Sequence, residues 1–547
     1  MREENMPKLV TALKHYSTDQ FLKDLIAGVI VAIIALPLSI ALALASGVGP
    51  EQGIYTAIVA GFVIAALGGS RVQISGPTAA FATIVAGIVA TKGMEGLIVA
   101  TIRAGIILIL MGILKFGALI RFIPHTIVTG FTAGIAVTIV IGQLKDFFGL
   151  TFQHSPIETM EKLKECFATF DTLNVAALWI GILALAIQIL WPKFNAKIPA
   201  SLIAVIVTAA VVKLAGLEVH TIGSLYEISN KLPMPQLPAF DMGLVKTVLP
   251  DAFTIAILAA IESLLSCVVA DGMIGDKHNP NVELVAQGAG NIASGLFGGI
   301  PATGAIARTA ANIKNGGRSP IAGMVHSVVL LLILVLLMPY AALIPMPTIA
   351  AILFIVAYNM CGFREFVDLV KTSPKSDVAV LLITFVLTVV FDLVVAIEFG
   401  LVLAAVLFLK RMADVSEVRS WEYVEEDQEG LCVVPEGTLV YEVEGPMFFA
   451  VADQFLQVTL DKNTKVVIMR MRTVPAMDVS ALRKLQEVQR ACQKHHVTLI
   501  FSHVTEQPMK MMEKAGFVDV VGRKNFVAHT DEALARAQKL CGRKIEK

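Results

Sequence analysis

Residues 68–91, GGSRVQISGPTAAFATIVAGIVAT, decide how this chain folds, because they interrupt a long apolar region without ending it. The Gly-Gly-Ser run at 68–70 breaks the preceding helix, and the alternation over 72–75 is typical of a short strand. Pro77 suits the first turn of a helix, where its missing N–H is not needed. We therefore predict an extended entry, followed by a helix that begins inside the membrane near Thr78.

The irregular backbone before a helix that begins at membrane depth is tolerated only where protein buries it or where it lines a cavity. The helix N-terminus presents unpaired N–H groups and partial positive charge, which suit an anion. The alternative is a continuous spanning helix that Pro77 starts after a cytosolic turn. Residues 297–318, FGGIPATGAIARTAANIKNGGR, favour the interrupted form, because they repeat the same order in the second half of the apolar region. Such a matched pair is typical of a transporter site at the bilayer midplane.

The composition indicates a polytopic membrane protein with a soluble tail. The 547 residues are 56% hydrophobic and 16% charged, whereas soluble proteins carry about 25% charged residues. No charge occurs between Asp24 and Glu51, which is long enough to span a bilayer. Walker, nucleophile-elbow and H-E-x-x-H motifs are absent, and cysteines and histidines lack metal-ligand spacing. We predict no enzyme activity, no cofactor, no metal and no nucleic-acid partner.

The apolar stretches predict fourteen membrane segments, two of them the interrupted ones. Seven precede the 217–247 loop and seven follow it, so an odd number per repeat turns the second half upside down. Basic residues concentrate in the connections on one side, which predicts that both termini are cytosolic. The predicted segments are 23–48, 51–68, 77–92, 96–117, 122–144, 174–191, 198–216, 248–270, 281–298, 303–314, 319–341, 344–361, 376–392 and 394–410.

The domain plan has four parts. A cytosolic segment at 1–22 precedes a transmembrane domain at 23–412, with repeats at about 23–216 and 248–412, and an acidic linker at 413–436 leads to an α/β domain at 437–547. Alternating strands and helices imply a sheet flanked by helices in this last domain. Its strands are predicted at 439–445, 465–471 and 497–502, and its helices at 450–460, 478–494, 505–515 and 531–541.

Two charged residues within the membrane domain are candidates for chemistry. Glu262 lies in a segment that is otherwise apolar from Phe253 to Ala270, and a carboxylate there is costly enough to indicate function. It could carry a proton, or bind Na⁺ together with hydroxyls such as that of Ser266. The alternative is a carboxylate that pairs with a basic residue to hold helices together. Arg308, one turn into the second interrupted helix, could supply fixed positive charge, or could instead extend to the surface.

Three stretches resemble the SulP family of anion transporters: DLIAGVIVAIIALPLSIALALASGVGPEQGIYTAIVAG at 24–61, GGSRVQISGPTAAF at 68–81, and GGIPATGAIARTAANI at 298–313. The tail resembles the STAS domain that follows the membrane domain in that family. The stretch 261–291, IESLLSCVVADGMIGDKHNPNVELVAQGAGN, is most similar to bacterial members with dicarboxylate or sulfate activity.

This resemblance implies fourteen segments in two inverted repeats, which form core and gate subdomains. It implies an anion site between the two interrupted-helix starts and the first segment. Carried over by motif position, the substrate-binding residues are Leu38, Leu42, Thr78, Ala79, Ala305, Ile306, Ala307 and Arg308.

The resemblance also bears on coupling and regulation. Glu262 and Ser266 match positions where a sodium-coupled bicarbonate member has aspartate and threonine, and Ile306 stands where that member has threonine. The changes at Glu262 and Ile306 favour proton over sodium coupling. Asp478 and Ser480 match the loop-to-helix position that is phosphorylated in STAS regulators of sigma factors. A plain N-cap with an exposed serine is the alternative.

The resulting hypothesis is a secondary transporter of small anions, of the sulfate or C4-dicarboxylate class, in the cell membrane. We expect proton coupling and an elevator-like movement of core against gate. A sodium-coupled bicarbonate transporter, an anion channel or exchanger on the same fold, and a sensor with the STAS tail as output are the alternatives. The expected partners are the anion, H⁺ (alternatively Na⁺), the lipid bilayer, a second copy in a homodimer, and a cytosolic partner of the STAS domain.

Overall fold

The computed structural model describes residues 6–14, 16–118, 124–154, 156, 158–195, 198–228, 231–235, 242–391, 393–415, 417–421, 434–450 and 463–542. Contacts divide the chain into two compact units, Met1–Leu401 and Val402–Lys547. The boundaries of the four-part domain plan stay a prediction.

The first unit is almost entirely helical. Its elements are α1 (Lys8–Leu13), α2 (Thr18–Ala45), α3 (Pro50–Leu67), β1 (Ser75–Gly76), α4 (Ala82–Ile113, preceded by a 3₁₀ turn at Ala79–Phe81), α5 (His125–Phe148), α6 (Thr159–Ala168), α7 (Val175–Phe194), α8 (Ala200–Ala215), α9 (Ile222–Leu225), α10 (Met242–Thr247), α11 (Leu249–Ile274), α12 (Pro280–Leu296), β2 (Thr303–Gly304), α13 (Ile306–Lys314), α14 (Pro320–Ala341), α15 (Met346–Cys361), α16 (Phe363–Thr372), α17 (Lys375–Val390) and α18 (Leu393–Val415), which ends in the second unit.

The predicted segments are confirmed, since each coincides with one of these helices or with part of one. The predicted segments 77–92 and 96–117 overlap the two parts of α4, which Gly93 separates with φ 70° and ψ −176°. Only glycine adopts such a backbone conformation at little cost. Among the described residues, eight helical stretches are long and apolar enough to span a membrane by length and composition alone.

The packing of the helices follows the two halves of the chain. Helix α3 packs on α14, and its counterpart α12 packs on the second half of α4; likewise α17 packs on α5 and α15 on α7. The contact between α3 and α14 thus corresponds to that between α12 and α4, with the two halves of the chain exchanged. The contacts α5–α17 and α15–α7 correspond in the same way. The first unit is therefore built as the inverted repeat that the odd segment number predicts.

The crossing of α4 and α12 depends on a reciprocal pair of glycines. A Cβ at Gly105 would lie 2.6 Å from the Gly288 carbonyl oxygen, and a Cβ at Gly288 would lie 2.5 Å from the Gly105 oxygen. The two backbones therefore touch without side chains between them, as small residues allow in membrane bundles. This contact fixes α12 against the first half of the molecule, close to both interrupted helices.

The second unit is a five-stranded sheet with helices on both faces. Its elements are β3 (Glu417–Trp421), β4 (Thr438–Glu444), β5 (Val466–Thr473), α19 (Val479–Lys494), β6 (Thr498–Ser502), α20 (Glu506–Lys514), α21 (Phe517–Val521), β7 (Phe526–Val527) and α22 (Thr530–Cys541).

The strands of this sheet lie in the order β3-β4-β5-β6-β7. Strand β3 is antiparallel to β4, and β4 to β7 are parallel. Alternate residues of β5 enter two cores: Val467 and Met469 pack with α19, α20 and α21, and Val466 and Ile468 pack with α22.

The three predicted strands and three of the four predicted helices of this unit are confirmed. The predicted helix at 450–460 lies mostly outside the described residues. The predicted linker 413–436 begins within α18 and contains β3, which the sequence analysis did not anticipate. Its acidic part, from position 422 to 433, lies outside the described residues.

Candidate functional site

The two interrupted helices meet through a two-stranded sheet. Strands β1 and β2 pair antiparallel, with Ser75 opposite Gly304 and Gly76 opposite Thr303. A 3₁₀ turn starts at Ala79 on one side, and α13 starts at Ile306 on the other. Because antiparallel strands run in opposite directions, the helices leave in opposite directions and their N-termini lie close together. The interrupted form is confirmed, and the continuous-helix alternative for Pro77 is wrong.

A polar stripe on α12 buries the irregular backbone beside these helix starts. The side chains recur at intervals of three or four residues and therefore share one helix face. All four residues are 0% exposed. They are Glu283, Gln287, Asn291 and Ser294.

Glu283 holds the extended entry to the first interrupted helix. Its Oε2 accepts hydrogen bonds from the backbone N–H groups of Gly69 at 2.8 Å and Ser70 at 3.2 Å. Its Oε1 accepts from the side-chain amides of Gln73 and Gln287, each at 2.8 Å. Because four donors bind this one buried carboxylate, Glu283 holds the segment in place and has a structural role.

Asn291 and Ser294 do the same for the second entry. Asn291 accepts from the Ala302 N–H at 2.9 Å and donates to the Ala302 carbonyl at 2.8 Å, which copies the pairing of a strand. Ser294 Oγ donates to the Ile300 carbonyl at 2.7 Å. One helix face therefore satisfies both irregular segments, as membrane depth requires.

The sequence analysis missed this stripe. Polar residues at helical spacing in the otherwise apolar run 283–294 are the signal that could have found it.

Glu262 lies on α11 next to the start of the first interrupted helix. Thr78 Oγ1 donates a hydrogen bond to Glu262 Oε2 at 2.8 Å. The Glu262 side chain keeps some accessible surface, unlike that of Glu283. Thr78 follows Pro77, whose carbonyl oxygen accepts a hydrogen bond from Arg308. A carboxylate with one hydroxyl donor and access to open space is suited to gaining and losing a proton or a small cation.

Arg308 is directed at the backbone that precedes the first helix start. It is 2% exposed, and its Nη2 donates to the Pro77 carbonyl oxygen. A Cβ at Gly76 would lie only 2.6 Å from Arg308 Nη1, so the guanidinium occupies the space that glycine leaves free. The side chain therefore brings positive charge from the second repeat to the helix start of the first, rather than extending to a surface.

Ser266 lies one turn from Glu262 but contacts a different group. Its Oγ donates to Thr309 Oγ1 at 3.3 Å, and that hydroxyl also accepts from the Ile74 N–H at 3.0 Å. Ser266 is 0% exposed. The structure thus connects Ser266 with the entry to the first interrupted helix, through Thr309, which the sequence analysis did not name.

The other carried-over residues divide by exposure. Leu42, at 2% exposure, and Ala79 belong to one buried apolar cluster, and Leu38 packs against it. Ala305 is buried, whereas Ile306 is 44% exposed and Ala307 is exposed as well. The first turn of α13 therefore presents one face to open space.

Asp478 and Ser480 belong to the second unit. Asp478 caps α19, since its Oδ1 accepts from the Ala481 N–H at 2.9 Å, and its Oδ2 accepts from the Phe449 N–H at 2.9 Å. Ser480 follows in the first turn and is partly exposed. This arrangement is that of an N-cap, and phosphorylation of Ser480 stays a prediction.

Paired helix starts with a buried arginine and a partly accessible carboxylate, inside an inverted helical repeat, are the arrangement expected of a membrane transporter. Two family matches agree with this class: the sulfate permease family matches residues 21–384, and the STAS domain matches residues 432–533. The chain belongs to the sulfate permease family. It is a multi-pass membrane protein and an anion transporter, not an enzyme.

Named relatives resemble the chain over nearly its whole length. The "Putative sulfate transporter YvdB" of Bacillus subtilis (strain 168) is 40% identical over 533 residues, which cover 95% of this chain and 98% of that protein. The bicarbonate transporter BicA of Picosynechococcus sp. is 30% identical over 539 residues, with 94% of each chain covered.

Two solved structures share the fold. The murine Slc26a9 anion transporter in its inward-facing state has a TM-score of 0.89 at 18% identity, with 98% of this chain and 94% of that chain covered. The transmembrane domain of a cyanobacterial BicA has a TM-score of 0.63 at 30% identity, with 71% of this chain and 98% of that chain covered.

Proposed function

We propose that this chain is a proton-coupled secondary transporter of small anions, of the sulfate or C4-dicarboxylate class. The observation that carries the proposal is the β1–β2 pairing, which brings two helix N-termini together with Arg308 beside them. Aligned backbone dipoles and a guanidinium at one place favour a negative solute. The sulfate assignment has further support from the 40% identity to a protein named a sulfate transporter.

Glu262 is the proposed coupling group. Its hydrogen bond comes from Thr78, at the helix start that faces the anion, so its charge and the anion's charge act on each other. Protonation of Glu262 removes a negative charge from the site and favours anion binding. Loss of the proton restores the repulsion and favours release. Anion and proton therefore move in the same direction.

The proposed movement is that of an elevator. Helices α2, α3, α4 and α11 to α14 hold the site, and α5, α7, α8, α15 and α17 pack mainly with one another. The polar stripe of α12 ties both extended segments to one rigid body, so the site can move as a whole against the second helix group. Both termini are proposed to be cytosolic, and two copies of the chain are proposed to form a homodimer.

A sodium-coupled bicarbonate transporter is the second candidate, because BicA is 30% identical over almost the whole chain. In this chain Ser266 donates to Thr309 rather than to Glu262, and Ile306 offers no side-chain oxygen at the start of α13. Neither feature favours a sodium site beside Glu262.

Uptake into proteoliposomes tests the proposal. Purified protein is given labelled sulfate with an acidic exterior, with equal pH on both sides, and with a sodium gradient; succinate, fumarate, bicarbonate and chloride then compete. We expect faster uptake with the acidic exterior, no effect of sodium, and no pH dependence in Glu262→Gln. Glu95→Gln is the control, because this carboxylate is exposed and lies away from the helix starts.

Three outcomes would contradict the proposal. Wild-type protein that moves none of these anions would exclude transport of this substrate class. Uptake driven by sodium alone would favour the bicarbonate candidate. Unitary currents in planar bilayers, far above the turnover of a carrier, would identify a channel.

A further inference from the structure

His326 is a buried ionisable side chain to which the transport cycle above gives no role. It lies on α14 and is 0% exposed. Neither Nδ1 nor Nε2 has a hydrogen-bond partner among the described residues. Buried polar atoms are hydrogen-bonded in the great majority of cases. We therefore expect the buried imidazole of His326 to bind a polar group.

Arg308 has buried hydrogen-bond donors that lack an acceptor among the described residues. Its Nη2 bonds to Pro77, but within the described part of the chain its Nε and Nη1 have no acceptor. A guanidinium carries five N–H donors and accepts nothing. Several buried donors of Arg308 therefore lack an acceptor in the same region where the imidazole lacks a partner.

Contacts around α3 bring this part of α14 and the guanidinium into one region. Ser327, next to His326, donates to the Ala57 carbonyl at 3.1 Å. A Cβ at Gly76 would lie 3.5 Å from Ala57 Cα and 2.6 Å from Arg308 Nη1. Ala57 is therefore close both to the helix turn that carries His326 and to the guanidinium.

The surrounding charges determine which form of the imidazole fits. A protonated His326 would place a second positive charge near Arg308 in a medium of low dielectric constant, which is unfavourable. Asp24 of α2 is already bound by Tyr16 and by Ser319, the N-cap of α14, and Glu262 is bound by Thr78. On α3, Glu51 lies in the first turn, about two turns before Ala57. The neutral imidazole has one acceptor nitrogen, which matches an N–H donor.

We propose that His326 is a positioning residue for anion recognition: its neutral imidazole accepts a hydrogen bond from one bridging water that Arg308 binds, and so holds the guanidinium behind the two helix starts. The role rests on the proposed transport function. Without this acceptor the guanidinium turns away, and the field at the helix starts weakens.

Paired variants test the contact through anion affinity. His326→Gln keeps an acceptor and His326→Leu removes it, while Ser327→Ala is the neighbouring control. We expect His326→Leu to raise the KM for the anion about tenfold with kcat changed less than about threefold, and His326→Gln and Ser327→Ala to stay within about threefold of wild type. In an Arg308→Ala background, His326→Leu should change KM no further. The pH profile of His326→Gln should keep the wild-type shape.

Equal losses in the Leu and Gln variants, or the same loss with and without Arg308, would overturn the inference. A flattened pH profile in His326→Gln would make His326 the coupling group instead. If His326→Leu does not give monodisperse protein, thermal unfolding of His326→Gln, Arg308→Ala and their combination decides, because additive shifts contradict any coupling between the two side chains. That measurement needs no transport, so wild-type protein without uptake would refute the proposed function and still leave this contact testable.

Discussion

Two glutamates lie close to the first interrupted helix of this protein, and their surroundings differ. Glu283 is fully buried and accepts four hydrogen bonds at 2.8 to 3.2 Å. Glu262 accepts one, from Thr78, and keeps some accessible surface. Each hydrogen bond that Glu283 accepts holds its carboxylate in one arrangement, whereas the oxygens of Glu262 keep lone pairs that could accept a proton or a cation. A carboxylate in a membrane segment is therefore a better candidate for chemistry when few of its oxygen lone pairs accept hydrogen bonds from the protein.

The same difference separates the regions around the two glutamates. Gly69, Ser70 and Gln73 bring the first extended segment to Glu283 and hold it on α12. Thr78 brings the helix start to Glu262. Residues 69–73 thus act as the fixed frame, and the site begins at Gly76 to Thr78. Substitutions in the frame should affect stability, and substitutions in the site should affect transport.

The largest effect is expected for Glu283→Leu. It leaves two backbone N–H groups and two side-chain amides without an acceptor, and breaking a buried charged network of this kind costs about 3–5 kcal/mol. Glu283→Gln should cost less, because Gln287 Oε1 has no partner among the described residues and can accept from the new amide after rotation. Thermal unfolding in detergent, followed by size-exclusion chromatography, measures both.

Gln188→Leu is the matched control for that prediction. Gln188 is buried at 8% exposure on α7, and its Nε2 has no partner in the described part of the chain. Its replacement by leucine removes a polar atom that gains nothing from burial, so we expect little loss of stability. Equal destabilisation by Gln188→Leu and Glu283→Leu would refute the view that the four bonds anchor the frame.

The next effect concerns Gly76, where the frame meets the site. In Gly76→Ala the new Cβ would lie 2.6 Å from Arg308 Nη1, so the guanidinium must move. We expect the KM for the anion to rise about tenfold or more, which corresponds to about 1.4 kcal/mol, while the protein stays folded. Gly87→Ala on α4 is the control, because a Cβ there meets no atom within 4 Å. An unchanged KM in Gly76→Ala would mean that Arg308 does not act on the anion.

The interruption of the two helices and the importance of Glu262 could be predicted from the sequence, because both signals are local. The Gly-Gly pairs and the proline at 77 predict where the helices are interrupted, and the lone acid in an apolar run singles out Glu262. Glu283 could not be recognised in the same way. It lies three residues into the predicted segment 281–298, where an acid is typical of a helix start at the interface.

The direction in which the Arg308 side chain points could not be predicted from the sequence either. Its place one turn into α13 follows from helix spacing, but the space it fills is left by Gly76, which lies 232 residues earlier in the chain (308 − 76 = 232). Contacts of this kind depend on how two remote segments pair, and a local pattern contains no information on that pairing. His326 is a further example, since a lone histidine beside an apolar segment gives no indication of the partner it faces.

A smaller effect on stability is expected for Glu262→Gln. The amide oxygen can still accept from Thr78, so we expect the free energy of unfolding to change by less than about 1 kcal/mol. The contrast with Glu283→Gln in the same unfolding assay sharpens the distinction between site and frame. If Glu262→Gln destabilises the protein as much as Glu283→Leu does, Glu262 belongs to the frame, and its assignment to coupling is wrong.

The smallest effect is expected for Thr78→Val, which removes the single donor to Glu262 and keeps the shape of the side chain. A hydrogen bond donated to the ionised carboxylate favours that form over the neutral one. The ionised carboxylate is therefore less stable in the variant, and Glu262 should bind its proton at a higher pH than in wild type. In proteoliposomes the pH at which uptake is half-maximal should rise, with the maximal rate reduced no more than about fivefold. Thr78→Ser, which keeps a hydroxyl, should restore the wild-type profile. A profile that is the same in all three proteins would show that the hydrogen bond from Thr78 does not govern the protonation of Glu262.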